Sequence, residues 1–426
     1  MNNDSVMNNS NAEESGKKFS WRVPAIDGVR ALAMMMVYAY HTWQFSGSPS
    51  LVVSMLGQPV NLLAPVSHFY LGVDLFMVLS GFCLFLPWCK SENALDKWDV
   101  RNYFARRLRR IVPPFYAAIV YAMILPQVLV VLYRVLGQEA KWQDFPSLQQ
   151  LAATMLFVHS LFIPYWDGIN GSFWSLGLEM QFYLVFPFVI WGFKKYGLKF
   201  LGWMIIVSVV YRMIGAYIFR DTKDWLPGFL FSITFLGRWM QFALGMWAAY
   251  VVAQHWREQK WRPSTWGTLA LLGVVAGYAI ATTDFVLKVN AFPLNSLLIG
   301  AIFALGLVAL CVTKTPLRFL FENKVATGLG LISYSFFLIH QPTAFYLSEL
   351  MRKKFGIAGL GMYAIYWTFG LLIITAIAYV FFIAFERPFL NTIKKINSSS
   401  TNSQVPQSAT PLLPGTTIPV QDQAAP

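Results

Sequence analysis

The feature that most limits what this chain can fold into is a recurrence. Runs of about 18–25 mostly apolar residues follow one another, and about 20 residues of helix at 1.5 Å rise cross a 30 Å hydrocarbon core. We count ten such runs, at 25–45, 67–88, 111–136, 173–193, 199–219, 230–254, 265–283, 292–312, 327–350 and 362–385. The stretch Leu151–Pro164 is too short to span and is expected in the interface. Composition agrees: 12% of residues are charged and 56% are apolar, so a soluble fold of 426 residues would lack a charged skin. Ordinary soluble enzymes are thereby excluded. The expected fold class is all-α, a polytopic membrane helix bundle with about ten transmembrane helices.

Orientation follows from the basic residues, which are retained on the cytoplasmic side. With the N-terminus inside, 22 of the 33 Lys and Arg fall in cytoplasmic segments and 7 on the far side, so both termini are expected to be cytoplasmic. The triplet Arg352, Lys353 and Lys354 breaks the pattern. Placed between apolar runs, the net charge of +13 reads as topology and anionic-lipid contact, not as nucleic-acid binding. Cys83, Cys89 and Cys311 form no CxxC pair, and no disulfide framework or metal site is expected. No apolar core of a cleavable signal peptide precedes the first run, which must then serve as the signal. Residues 1–23 and 391–426 read as disordered cytoplasmic tails, the latter rich in Ser, Thr and Pro, around one membrane domain at 24–390 without internal repeats.

Charges inside spans carry the functional argument, because each costs at least about 2.5–3.5 kcal/mol at the bilayer centre. The first run holds Asp27-Gly28-Val29-Arg30 and then His41. Eleven helical steps place Arg30 and His41 roughly 16 Å apart along the axis and on nearly the same face, able to line one cavity. Asp74 in the second run and Glu179 in the fourth lie, with His41, roughly 6–11 Å below the outer boundary by residue count, so either carboxylate could pair with the imidazole. The ninth run adds Ser333-Tyr334-Ser335 and His340-Gln341-Pro342, with His340 nearer the middle; His340 and Tyr334 serve equally well as interhelical hydrogen-bonding groups. Arg212 and Arg238 read as ion-pair partners for acidic residues. Between Arg101 and Arg110 lie five arginines, a set that suits either anionic lipid or a phosphate-bearing cytosolic ligand.

The ordered set of motifs resembles the acyltransferase-3 family of multi-pass membrane O-acyltransferases over about residues 24–388. The resemblance rests on Asp27-Gly28-Val29-Arg30 with His41, Gly72-Val73-Asp74 with Leu79-Ser80-Gly81-Phe82, and Arg109-Arg110-Ile111 before Pro113. It continues through Trp174-Ser175-Leu176 with Glu179, Arg238 with Phe242 and Gly245, Ser333-Tyr334-Ser335 with His340-Gln341-Pro342, and Glu386-Arg387-Pro388. Met77 stands where the family usually has Phe, and Gln241 where it often has Glu.

The resemblance implies an integral, multi-pass protein of the inner cell membrane that uses no bound cofactor. Its co-substrate is acyl-CoA, with acetyl-CoA as the expected donor, and its acceptor a hydroxyl of a carbohydrate or lipid-linked saccharide; membrane lipids are further partners. On this reading Arg106, Arg107, Arg109 and Arg110 hold CoA phosphates and Arg30 sits at the inner mouth. His41 acts as general base or nucleophile, with Asp74 or Glu179 fixing its tautomer. Ser175, Tyr334 or an arginine donates to the oxyanion, and His340 is the alternative catalytic imidazole. The competing class is a transporter or flippase of a polar or lipid-linked substrate, which also needs intramembrane charge but predicts internal repeats.

Overall fold

A computed structural model of the chain describes residues 23–89, 99–258 apart from 136, 138 and 140, 262–283 and 292–390. The two terminal tails expected at 1–23 and 391–426 lie outside the described residues except for Val23. The fold is a bundle of long helices, α1 Pro24–Phe45, α2 Gly72–Phe85, α3 Val100–Val135, α4 Trp174–Tyr196, α5 Leu198–Ile218, α6 Phe235–Arg257, α7 Ser264–Ala281, α8 Phe292–Val312, α9 Ser333–Phe355 and α10 Gly359–Leu390. Among the described residues, seven helical segments are long and apolar enough to cross a membrane: Ala64–Cys89, which extends α2 at both ends, α3, α4, α5, α7, Leu294–Val312 of α8, and α10. Helices α1, α6 and α9 fall outside that set. They carry Arg30 and His41, Arg238 and Gln241, and Ser335 and His340.

One departure from an all-helical chain is a small antiparallel hairpin, β1 Val52–Met55 with β2 Gln58–Asn61, between α1 and α2. Its two-residue turn, Leu56 at φ 51° and Gly57 at φ 79°, has the left-handed backbone that tight hairpins require. The arginine-rich segment ahead of the third apolar run is itself helical. Helix α3 runs without interruption through Pro113 and Pro114, so Arg101 to Arg110 form its first turns. The two prolines leave the carbonyls of Arg109 and Arg110 without their usual donors, which a helix end near polar surroundings tolerates.

A close crossing in the bundle joins α2 and α6, which run parallel. A Cβ added to Gly245 would stand 2.0 Å from the Val78 carbonyl oxygen, and one added to Gly81 would stand 2.3 Å from that of Phe242. Only glycine permits this approach, and small residues are how helices come close when water supplies no drive for association. Two turns before each glycine sit Asp74 and Arg238, so the crossing fixes their separation. The exceptional basic triplet also has a local cause. Helix α9 ends at Phe355, with Gly356 at φ 63° closing it, and Arg352 and Lys353 pair with Glu349 at 2.9 and 3.1 Å. Cations at a helix C-terminus complement its dipole.

Candidate active site

Two cavities lie back to back in the bundle. The first, about 100 Å³, is lined by Arg30, Arg107, Arg110, Glu179, Tyr183 and Tyr334 among others. Three guanidinium groups face one carboxylate there. Glu179 accepts hydrogen bonds from Ser80 Oγ at 2.8 Å and from the Tyr183 hydroxyl, while the Arg107 guanidinium lies 5.8 Å from the centre of the Tyr183 ring. Arg30 holds Asp27 at 3.6 Å one turn back on α1 and reaches Cys83 Sγ at 3.7 Å. The expected four-arginine cluster is divided by helical geometry. Arg107 and Arg110, three residues apart, turn into the cavity, whereas Arg106 and Arg109 lie about a quarter turn round α3 and are exposed.

The second cavity, about 620 Å³, contains His41. His41 Nδ1 lies 2.9 Å from His340 Nε2, and His340 Nδ1 lies 2.8 Å from the backbone carbonyl oxygen of Phe337. A carbonyl can only accept, so His340 Nδ1 carries a proton. With His340 neutral, its Nε2 accepts, and His41 must donate through Nδ1. The lone pair of His41 Nε2 is thus left for the cavity. His41 is half-buried, whereas His340 is 1% exposed and stacked against Phe336 at 5.9 Å, so the inner ring orients the outer one.

Neither carboxylate meets His41, which corrects the expected carboxylate–imidazole pair. Asp74 lines the histidine cavity, but its Oδ1 accepts from Arg238 Nη1 at 2.6 Å and from Gln241 Nε2 at 2.9 Å. Gln241 therefore supplies a neutral donor where a carboxylate would have repelled Asp74. Glu179 belongs to the arginine cavity. Its depth was misjudged because the chain before α4 dips into the bundle: Asn170 is buried and its Nδ2 donates to the Leu338 carbonyl oxygen at 3.1 Å. That carbonyl is available because Pro342, four residues on, has no N–H. Helix α4 thus begins well inside, with Ser175 one turn before Glu179.

Ser175 lines both cavities and donates to the Ser172 carbonyl at 3.1 Å, while Tyr334 in the arginine cavity donates to that of Ile111 at 3.1 Å. Residue counting missed the wall of the histidine cavity. Trp166, Trp174 and Trp225 gather around Phe229, with ring centres 5.7, 5.6 and 5.3 Å from it. The amide oxygens of Gln341 and Asn295, both on lining residues, have no hydrogen-bond partner among the described residues. Also among those residues, no group of three or more His, Cys, Asp or Glu side chains is placed to hold a metal ion.

A family profile described as an acyltransferase domain matches residues 23–383. The chain is similar to the peptidoglycan O-acetyltransferase OatA of Listeria monocytogenes, 25% identical over 351 residues that cover 75% of this chain and 49% of that protein. It is likewise similar to the acyltransferase MdmB of Streptomyces mycarofaciens, 25% identical over 355 residues covering 79% of this chain and 83% of that protein. The chain thus spans about half the length of OatA. No solved structure matches it significantly.

Proposed function

Because this chain belongs to the acyltransferase-3 family, we propose that it is a membrane O-acyltransferase carrying an acyl group, acetyl in the first instance, from cytosolic acyl-CoA to a saccharide hydroxyl across the membrane. The observation that carries the proposal is the arrangement of one helix. Helix α1 offers Arg30 to a cavity with two further arginines and His41 to a second cavity, where its free nitrogen points away from the His340 tether. On this reading the arginine cavity faces the cytoplasm, all ten long helices cross the inner membrane, and both termini are cytoplasmic. The distribution of Lys and Arg supports that orientation.

Arg30, Arg107 and Arg110 receive donor phosphates, for which forked guanidinium groups are suited. The pantetheine arm carries the thioester towards His41. His41 Nε2 takes the proton of the acceptor hydroxyl, whose oxygen attacks the thioester carbonyl. The C–S bond breaks, and the departing thiolate recovers the proton from His41, giving an ester and free CoA. As His41 becomes positively charged, its Nδ1–H bond to His340 Nε2 strengthens, and the Phe337 carbonyl anchors the relay from behind. Ser175, which lines both cavities, supplies a hydroxyl for the oxyanion once turned from the Ser172 carbonyl. Aromatic walls with two unpaired amide oxygens suit a polyol, whose C–H faces stack on tryptophan and whose hydroxyls donate. The similarity to a peptidoglycan O-acetyltransferase is consistent with an acceptor of that kind.

The test is consumption of donor. Purified protein given acetyl-CoA and a saccharide acceptor is expected to release CoA thiol and form an acetyl ester. Transport of acceptor across vesicles without any CoA release would support the transporter reading and contradict this one.

A further inference from the structure

We propose that Val73 and Phe337 form a selectivity wall that passes unbranched acyl groups and rejects branched ones. The proposal rests on the acyltransferase reading above. Val73, Ser175 and Phe337 line both cavities, and so constitute the partition between the arginines and His41. A donor whose phosphates sit on Arg30, Arg107 and Arg110 reaches His41 only by sending its acyl group through that partition. The part of the pantetheine arm that follows through the partition, cysteamine and β-alanine, carries no alkyl branch, while the dimethyl-bearing pantoyl unit stays on the arginine side. An opening just wide enough for the arm therefore admits any acyl group no broader than the arm and excludes a wider one. Length is not limited in the same way, because the chain beyond the partition enters the roomier cavity of about 620 Å³.

The partition is stiff, as a selective opening must be. Phe337 is 8% exposed and is braced edge-on by Phe76 at 5.7 Å and by the tilted ring of His340 at 5.5 Å. Its backbone carbonyl is also the anchor of His340. Val73 lies on α2, one residue before Asp74, whose bonds to Arg238 and Gln241 hold that turn in place. A β-branched side chain at Val73 has little rotamer freedom with which to yield.

The experiment compares n-butyryl-CoA with isobutyryl-CoA, isomers of which the branched one is broader and one carbon shorter, so that only its breadth can exclude it. Wild-type protein is expected to use the straight isomer at least about 10-fold better, since a misplaced methyl group in a tight apolar site commonly costs 10- to 200-fold. Val73→Ala, and independently Phe337→Leu, which keeps the backbone carbonyl, should bring that ratio close to one. A merely destabilised protein loses rate on both isomers alike and leaves the ratio unchanged. Equal use of the two isomers by wild type, or an unaltered ratio in folded variants, would overturn the wall. Wild-type protein that consumes no acyl-CoA of any kind would overturn the acyltransferase reading and the wall with it.

Discussion

Replacing His340 by leucine tests whether the second imidazole sets the chemistry of the first. His340 is buried, and its Nε2 is the acceptor for His41 Nδ1 at 2.9 Å. Leucine fills much of the space but accepts nothing, and a buried N–H left without an acceptor costs about 1–3 kcal/mol. His41 escapes that cost by shifting its proton to Nε2, the nitrogen that faces the cavity, so the tautomer able to accept a proton from substrate becomes the minor one. At about 1.4 kcal/mol per factor of ten, the competent fraction falls roughly 5- to 150-fold. Because the arginines proposed to hold the donor phosphates lie in the other cavity, kcat should fall by that factor while KM for acyl-CoA stays within about twofold. His340→Gln, whose amide oxygen can accept from Nδ1, should recover part of the loss. The assay is CoA thiol release at saturating acceptor, with melting temperature measured in parallel. A folded His340→Leu protein that keeps kcat within twofold of wild type, or one that loses donor affinity instead, would refute the reasoning.

Three further outcomes follow from the geometry. Charge reversal of Arg107 or Arg110 should raise KM for acyl-CoA at least about 10-fold with little change in kcat, whereas reversal of the exposed Arg106 or Arg109 should leave donor kinetics near wild type; equal effects at all four would return the segment to lipid binding. Asp74→Ala strips Arg238 of its buried partner and should cost about 3–5 kcal/mol of stability, seen as a marked fall in melting temperature, while Asp74→Asn should be milder because it still accepts from Gln241. Gly245→Ala should sharply reduce the yield of folded protein, since its Cβ would meet the Val78 carbonyl oxygen at 2.0 Å, and an unchanged melting temperature would contradict the close α2–α6 crossing.

The helical positions were legible in the sequence because each apolar run reports its own length, and those runs coincide with long helices. Arg30 and His41 were legible as a pair because they share one helix, where 100° per residue fixes which residues face alike. What failed was depth compared between helices. Glu179 was placed beside His41 by counting from the start of α4, but Asn170 draws that start into the bundle by its bond to Leu338. The division of the arginines depends on 101–110 being helical, because residues 107 and 110 then separate from 106 and 109 by rotation alone. The Asp74–Arg238 pair was half visible, in that Arg238 was read as an ion-pair partner, but its choice of carboxylate depends on the Gly81 and Gly245 crossing, which no local pattern encodes.

The central claim is that His41 Nε2 handles the proton of the acceptor hydroxyl, and one side-chain deletion tests it most directly. His41→Ala removes an imidazole that fills part of a cavity wall and gives up one hydrogen bond, so expression, membrane insertion and melting temperature should stay close to wild type. Loss of a general base or nucleophile should lower the rate of ester formation from acyl-CoA by at least about 10²-fold, with KM for the donor nearly unchanged. A well-folded His41→Ala protein that still acylates a saccharide acceptor at the ordinary rate would contradict the account.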